Sequence, residues 1–187
     1  MSGAAAPIIL VDADACPVKE EVYKVAWRHE VPVRIVSNAR LRVPQHPLIE
    51  RVTVSGAFDA ADDWIAAQVT PSAIVVTGDM MGPRAGRRVP RTRLRTSGGC
   101  SHLSVAPSLL ADRCLKGGAG AVIAPDGRPF TAASIGAAVA TRAILADLRA
   151  GADGIRSGPA PFARSDRSRF LSALDEALVR LKRGRNP

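Results

Sequence analysis

Ile8-Ile9-Leu10-Val11-Asp12-Ala13-Asp14-Ala15-Cys16-Pro17 is the stretch from which the fold is read. An apolar run of strand length stops at two carboxylates spaced i, i+2. Side chains alternate along an extended strand, so Asp12 and Asp14 leave its end on one side if the chain stays extended that far. Pro17 suits the first turn of a helix, where a missing N–H costs nothing. In an α/β protein, acids at the carboxyl end of a buried strand stand where ligands bind. The plain alternative is that Asp14 caps the helix. Capping needs only one acid, so it leaves the pair unexplained.

Working outward, strands alternate with helices. Pro7 to Val11 reads as a buried parallel strand and Val18 to His29 as a helix with Val18, Val22, Val25 and Ala26 on its apolar face. Val33 to Ser37 is a second strand, ending in Ser37-Asn38. Leu41 to Pro47 is a Pro-broken connection. Arg51 to Val54 is a third strand, Phe58 to Val69 a helix with Asp59, Asp62 and Asp63 in its first turns, and Ala73 to Thr77 a fourth strand ending in Gly78-Asp79. About Met80 to Pro107 has no apolar period and is Arg, Gly, Pro, Ser and Thr. Leu109 to Lys116 is a short helix, Ala121 to Ala124 a fifth strand, and Asp126-Gly127 a turn. Ser134 caps a helix running to about Ala150 or reaches toward the site, and Gly151 stops that helix. A Gly/Pro linker covers Gly154 to Ala163. Ser165 or Asp166 opens a final amphipathic helix with Phe170, Leu171, Leu174, Leu178 and Leu181.

This alternation predicts an α/β fold: one domain with a mostly parallel central sheet, helices on both faces and an irregular basic insertion. Residues 1–151 form the domain, with the insertion at about 80–107. Residues 152–187 supply a linker and a helix that packs back on it. Hydrophobic residues make up 47% of the chain and aromatic ones 4%, so aliphatic side chains fill the core. Cys16, Cys100 and Cys114 have no C-x-x-C spacing, which argues against a disulfide framework or zinc site and for the reducing cytoplasm. Met1 to Pro7 has no basic region of a signal peptide, and no stretch is long enough to span a bilayer.

The net charge of +9 invites a nucleic-acid reading. Its location qualifies that. Arg84, Arg87, Arg88, Arg91, Arg93 and Arg95 all lie in the insertion; without them 20 basic residues face 17 acidic ones, a net of +3.

Polar residues collect at the carboxyl ends of the strands: Asp12 and Asp14, then Ser37 and Asn38, then Thr77 and Asp79, with Asp59, Asp62 and Asp63 opening the helix after the third strand. Each has an ordinary explanation. Acids at a helix N-terminus are favoured by about 0.3–1 kcal/mol, Asp79 suits a turn, and Ser37-Asn38, with Arg40 and Arg42 beyond, suits a solvated loop. Those explanations leave out convergence. Carboxylates from separate elements crowding one rim repel each other unless a cation compensates. Magnesium or manganese prefers oxygen ligands, activates water and supports phosphodiester hydrolysis.

Here the residues match a known family. The chain resembles the YaiI/YqxD family of uncharacterised bacterial proteins, which have a PIN-like nuclease fold. The matching motifs are Val11 to Pro17, Val36-Ser37-Asn38, Phe58 to Ile65 and Val75 to Asp79. Further matches are Leu110 to Leu115, Pro125 to Thr131, Ser134-Ile135-Gly136 and Ser165 to Leu171. The resemblance implies metal-dependent cleavage of RNA, or less often DNA. It makes Asp12, Asp14, Asp62 or Asp63, and Asp79 candidate metal ligands. Of these, Asp12, Asp14, Asp62 and Asp79 are the candidate catalytic acids, and Ser37, Asn38 and Thr77 are candidate substrate contacts. The chain departs from its relatives at about Met80 to Pro107, where they run almost directly into the helix matched by Ser108 to Ala111. The arginines there are either a phosphate-gripping arm or accidental disorder.

Three other readings compete. A haloacid-dehalogenase-type phosphatase also uses a strand ending Asp-x-Asp, with Asp12 as nucleophile and Asp14 as acid/base. It requires a supporting lysine, and none lies between Ser37 and Asp79. A cysteine enzyme would use Cys16, yet His29, His46 and His102 read as a helix end, a Pro-flanked loop and the insertion. A non-catalytic module would use the same acids to hold an ion or a basic partner.

Overall fold

A strand that is apolar up to its last residue must be covered on both faces, and β1 (Ile8–Asp12) lies at the centre of the sheet. The computed structural model describes residues 6–13, 16–54, 59–78, 110–136 and 162–184. Among them β1, β2 (Val33–Ser37), β3 (Ile49–Thr53), β4 (Ala73–Val76) and β5 (Ala121–Ile123) form a five-stranded sheet in the order β3-β2-β1-β4-β5. Every pairing is parallel. The helices are α1 (Lys19–His29), α2 (Ala60–Ala67), α3 (Leu110–Lys116), α4, described over 132–136, and α5 (Arg164–Lys182).

The two-residue period of the strands divides the core into two layers. Ile9, Val11, Val33, Ile35, Ile74, Val76 and Ile123 pack on one face against Val22, Val25 and Ala26 of α1 and Phe170, Leu174 and Leu178 of α5. Leu10, Val36, Val75 and Val122 pack on the other against Ala61 and Ile65 of α2, Leu110, Ala111 and Cys114 of α3, and Ile135 of α4. Along α1 and α5, Arg167 meets Glu21, Asp175 meets Arg28 and His29, and the Lys182 ammonium meets the His29 carbonyl. Low numbers meet low and high meet high, so the two helices run parallel.

Several boundaries differ from the sequence reading. β3 begins at Ile49 rather than Arg51, because β2 offers a five-residue ladder from Val33↔Ile49 to Ser37↔Thr53 and Ile49 is buried. As an edge strand it leaves Glu50 and Arg51 exposed. α2 begins at Ala60 rather than Phe58, since Asp59 adopts a left-handed conformation at φ 65° that helical backbone cannot share. Phe58 lies outside the described residues. α4 is capped by Thr131 rather than Ser134: Thr131 Oγ1 accepts from the Ser134 N–H at 3.1 Å, and Ser134 Oγ accepts from the Thr131 N–H at 2.9 Å. That is a reciprocal capping box with Ser134 at its third helical position. The expected run of this helix to Ala150, the insertion and most of the linker lie outside the described residues. The Asp126-Gly127 turn forms as read. Asp126 Oδ1 accepts from the Arg128 N–H at 3.0 Å, and Gly127 takes φ 86°. A Cβ at Gly127 would stand 2.6 Å from the Arg169 carbonyl carbon of α5, so the turn and that helix touch backbone to backbone.

Candidate functional site

In this order the chain first builds β1, β2 and β3 to one side and then returns to place β4 on the other side of β1. The connections therefore diverge between β1 and β4, and open α/β sheets bind ligands at such a divergence, outside the carboxyl ends of the strands. Asp12 ends β1 at that point and is 5% exposed. Thr77 follows β4, is fully buried, and donates its hydroxyl to Asp12 Oδ2 at 3.2 Å. Asp12 alternates with Val11 and Thr77 with Val76, so both belong on the α2/α3 side of the sheet. The hydrogen bond crosses the point where the topology switches.

The remaining candidates fall as follows. α2 leaves the carboxyl end of β3, which sets its first turn on the same rim. Asp62 is half-buried; burial pushes up the pKa of Cys114 on α3, and the Asp62 charge adds to that against Arg113. Asp63 is exposed and ion-paired with Arg113 at 2.7 Å, which draws it toward α3. Ser37 is buried at the end of β2 and donates to the Ala39 carbonyl at 2.7 Å, so its hydroxyl closes the turn after the strand. Asn38 follows; its Oδ1 is buried with no hydrogen-bond partner among the described residues. Asp14 and Asp79 lie outside the described residues. β1 and β4 are adjacent and parallel, so Ala13 and Gly78, the described residues before those two acids, lie at the same edge of the sheet.

Oxygen donors alone at this point match the preference of a hard divalent cation. Among the described residues no group of three His, Cys, Asp or Glu side chains gathers closely enough to hold an ion. At this switch point the described chain supplies one buried carboxylate, that of Asp12.

Cys16 is 4% exposed, and its thiol pKa is pushed up to about 12. Burial is the main cause, with Asp12 and Glu21 adding to it and the Val18 backbone and Lys19 opposing it. A buried thiol held protonated at neutral pH is a poor nucleophile, which argues against the cysteine-enzyme reading. His29 is engaged by Asp175 at 2.8 Å, and His46 accepts from the Leu48 N–H at 3.2 Å.

Two side chains that sequence reading did not select are Glu21 and Arg167. Glu21 is 6% exposed in the first turn of α1 and pairs with Arg167 of α5 at 3.0 Å. Its only sequence signal is an acid three residues after Val18, on the helix face that the core buries.

Comparison with known proteins finds relatives of this sequence. The sequence model of the family described as "Uncharacterized BCR, YaiI/YqxD family" matches residues 10–82 and 106–180. A UPF0178 protein of Sphingopyxis alaskensis is 58% identical over 179 residues, covering 96% of this chain and 97% of the relative. A UPF0178 protein of Rhodopseudomonas palustris is 49% identical over 177 residues, covering 95% and 93%. One from a Jannaschia species is 48% identical over 176 residues, covering 94% of each. No solved structure matches the chain. No helix among the described residues is long and apolar enough to cross a membrane.

Proposed function

The chain belongs to the YaiI/YqxD family of uncharacterised bacterial proteins, and from that premise we propose that it is a divalent-metal-dependent nuclease acting on single-stranded RNA. The observation that carries the reading is the buried Asp12 carboxylate at the switch point between β1 and β4, bonded by Thr77. A bound magnesium or manganese ion would supply a water activated for attack and would stabilise the leaving oxygen. Asp12, Asp14 and Asp79 would hold it, with Asp62 preferred to Asp63 because Asp62 is half-buried and Asp63 exposed. Thr77 fixes the orientation of Asp12. Asn38 stands past β2 with an acceptor that no described residue occupies, a suitable contact for a ribose hydroxyl.

The test is cleavage of single-stranded RNA with magnesium or manganese, by protein shown to be free of contaminating nuclease. Asp14→Asn should abolish metal-stimulated cleavage with the fold retained, and without metal its melting temperature should be unchanged or slightly higher. The reason is electrostatic: removing one crowded carboxylate weakens cation binding and relieves repulsion. A module that merely holds a structural ion gives another pattern. Neither form then cuts RNA, and Asp14→Asn lowers the melting temperature only when metal is present. That pattern would end the enzyme reading.

A further inference from the structure

We propose that Arg167 is a phosphodiester-binding arginine at this rim, held in position by the buried Glu21 carboxylate and the face of Phe162. The proposal deepens the nuclease reading and rests on it for the identity of the ligand as RNA.

Glu21 sits in the first turn of α1, the helix that follows the Asp12-to-Pro17 segment. One oxygen bonds Arg167 Nη1 at 3.0 Å; the other, Oε2, is buried with no hydrogen-bond partner among the described residues. Burying a carboxylate half-satisfied costs stability, and a buried ion pair is no better for stability than apolar packing. What such a pair does supply is orientation. The Arg167 guanidinium is fixed twice: by Glu21, and by Phe162, whose ring centroid lies 5.6 Å away. Its side chain nonetheless stays 46% exposed, and its other N–H groups meet no partner among the described residues. A guanidinium carries five donors in a rigid fork. One engaged by Glu21 leaves a fork edge for a phosphate.

Position agrees. α1 leaves the carboxyl end of β1, and α5 runs parallel to it, so Arg167 near the start of α5 lies at the same rim as Asp12. The other arginine ion pairs among the described residues end on carboxylates 17–70% exposed, whereas Glu21 is 7% exposed at its side chain. Arg167 alone among them is anchored from within the core.

The experiment is fluorescence anisotropy of a labelled single-stranded RNA with the full-length protein in EDTA, over a series of salt concentrations. The double variant Glu21→Gln/Arg167→Gln leaves net charge unchanged. It should bind about tenfold more weakly, and the slope of log affinity against log salt should fall by about 0.7, one phosphate contact on a single strand. Glu176→Gln/Arg180→Gln makes the same chemical change near the far end of α5 and should bind within about twofold of wild type. Arg167→Lys keeps a charge on Glu21 but loses the fork and should weaken binding about fivefold. This variant decides the matter if the double variant fails to fold. Wild-type affinity and salt slope in the Arg167 variants overturn the proposal, as does equal loss in both double variants or an absence of RNA binding by wild type. Arginine-dependent binding without any metal-stimulated cleavage sinks the nuclease reading and leaves Arg167 standing as a phosphate contact.

Discussion

Thr77 has no exposed surface, and its hydroxyl has the Asp12 carboxylate as acceptor. Thr77→Val keeps the shape and removes the donor. A hydrogen bond to a charged group contributes about 1.5–3 kcal/mol, so thermal unfolding of the variant should show a fall of several degrees, and metal-stimulated RNA cleavage should fall with it. An unchanged melting temperature would mean that Asp12 is held by other neighbours. At this scale the sequence was legible where one residue interrupts a pattern. Asp12 stands out because an apolar run ends on it. Thr77 was legible as a strand end, but its partner was not, since the pairing spans 65 positions. Glu21 was illegible for a physical reason: an acid in the first turn of a helix already has a local explanation in the helix dipole. Nothing nearby in sequence announces a partner 146 residues away.

Among the elements, α5 shows how tertiary pairing sets pH dependence. Asp175 accepts from His29 at 2.8 Å and from Arg28 at 3.1 Å. The His29 contact, aided by its charge and by Arg28, holds the Asp175 carboxyl below its ordinary pKa despite some desolvation. A depressed folded pKa means stability that is fully present above the unfolded value of about 3.9 and is lost as pH falls through the folded value. Asp175→Asn should therefore be less stable than wild type in urea at pH 7, and the gap should close below about pH 4. A gap that persists undiminished at pH 2 would assign the loss to packing instead. Strand and helix identities were legible from period and length throughout the described chain. Their ends were not, because neighbours fix them: β2 sets the length of β3, and the left-handed Asp59 sets the start of α2. The cap of α4 shifted from Ser134 to Thr131 because both residues carry a hydroxyl and only the reciprocal geometry separates them.

For the molecule as a whole, the α/β class and the parallel sheet could be read from alternation, but the order β3-β2-β1-β4-β5 could not. A parallel crossover can place the next strand on either side with the same apolar periodicity. Residues 83–105 stand between the two stretches matched by the family and carry six arginines with no acid. Deleting them should leave the melting temperature unchanged or raised, since loop-closure entropy grows slowly with length. RNA affinity should become less salt-dependent as the net charge falls from +9 to +3. A large loss of stability on deletion would show that the segment is packed. The parallel seating of α5 beside α1 has a consequence for synthesis. The face formed by Ile9, Val11, Val33, Ile35, Ile74 and Val76 is covered in part by Phe170, Leu174 and Leu178, which leave the ribosome about 90 residues or more after the strands they cover. Until they emerge, the nascent chain carries an adhesive flank prone to aggregation. A message truncated before Arg164 would release that flank permanently, yielding a polypeptide destined for aggregation or proteolysis.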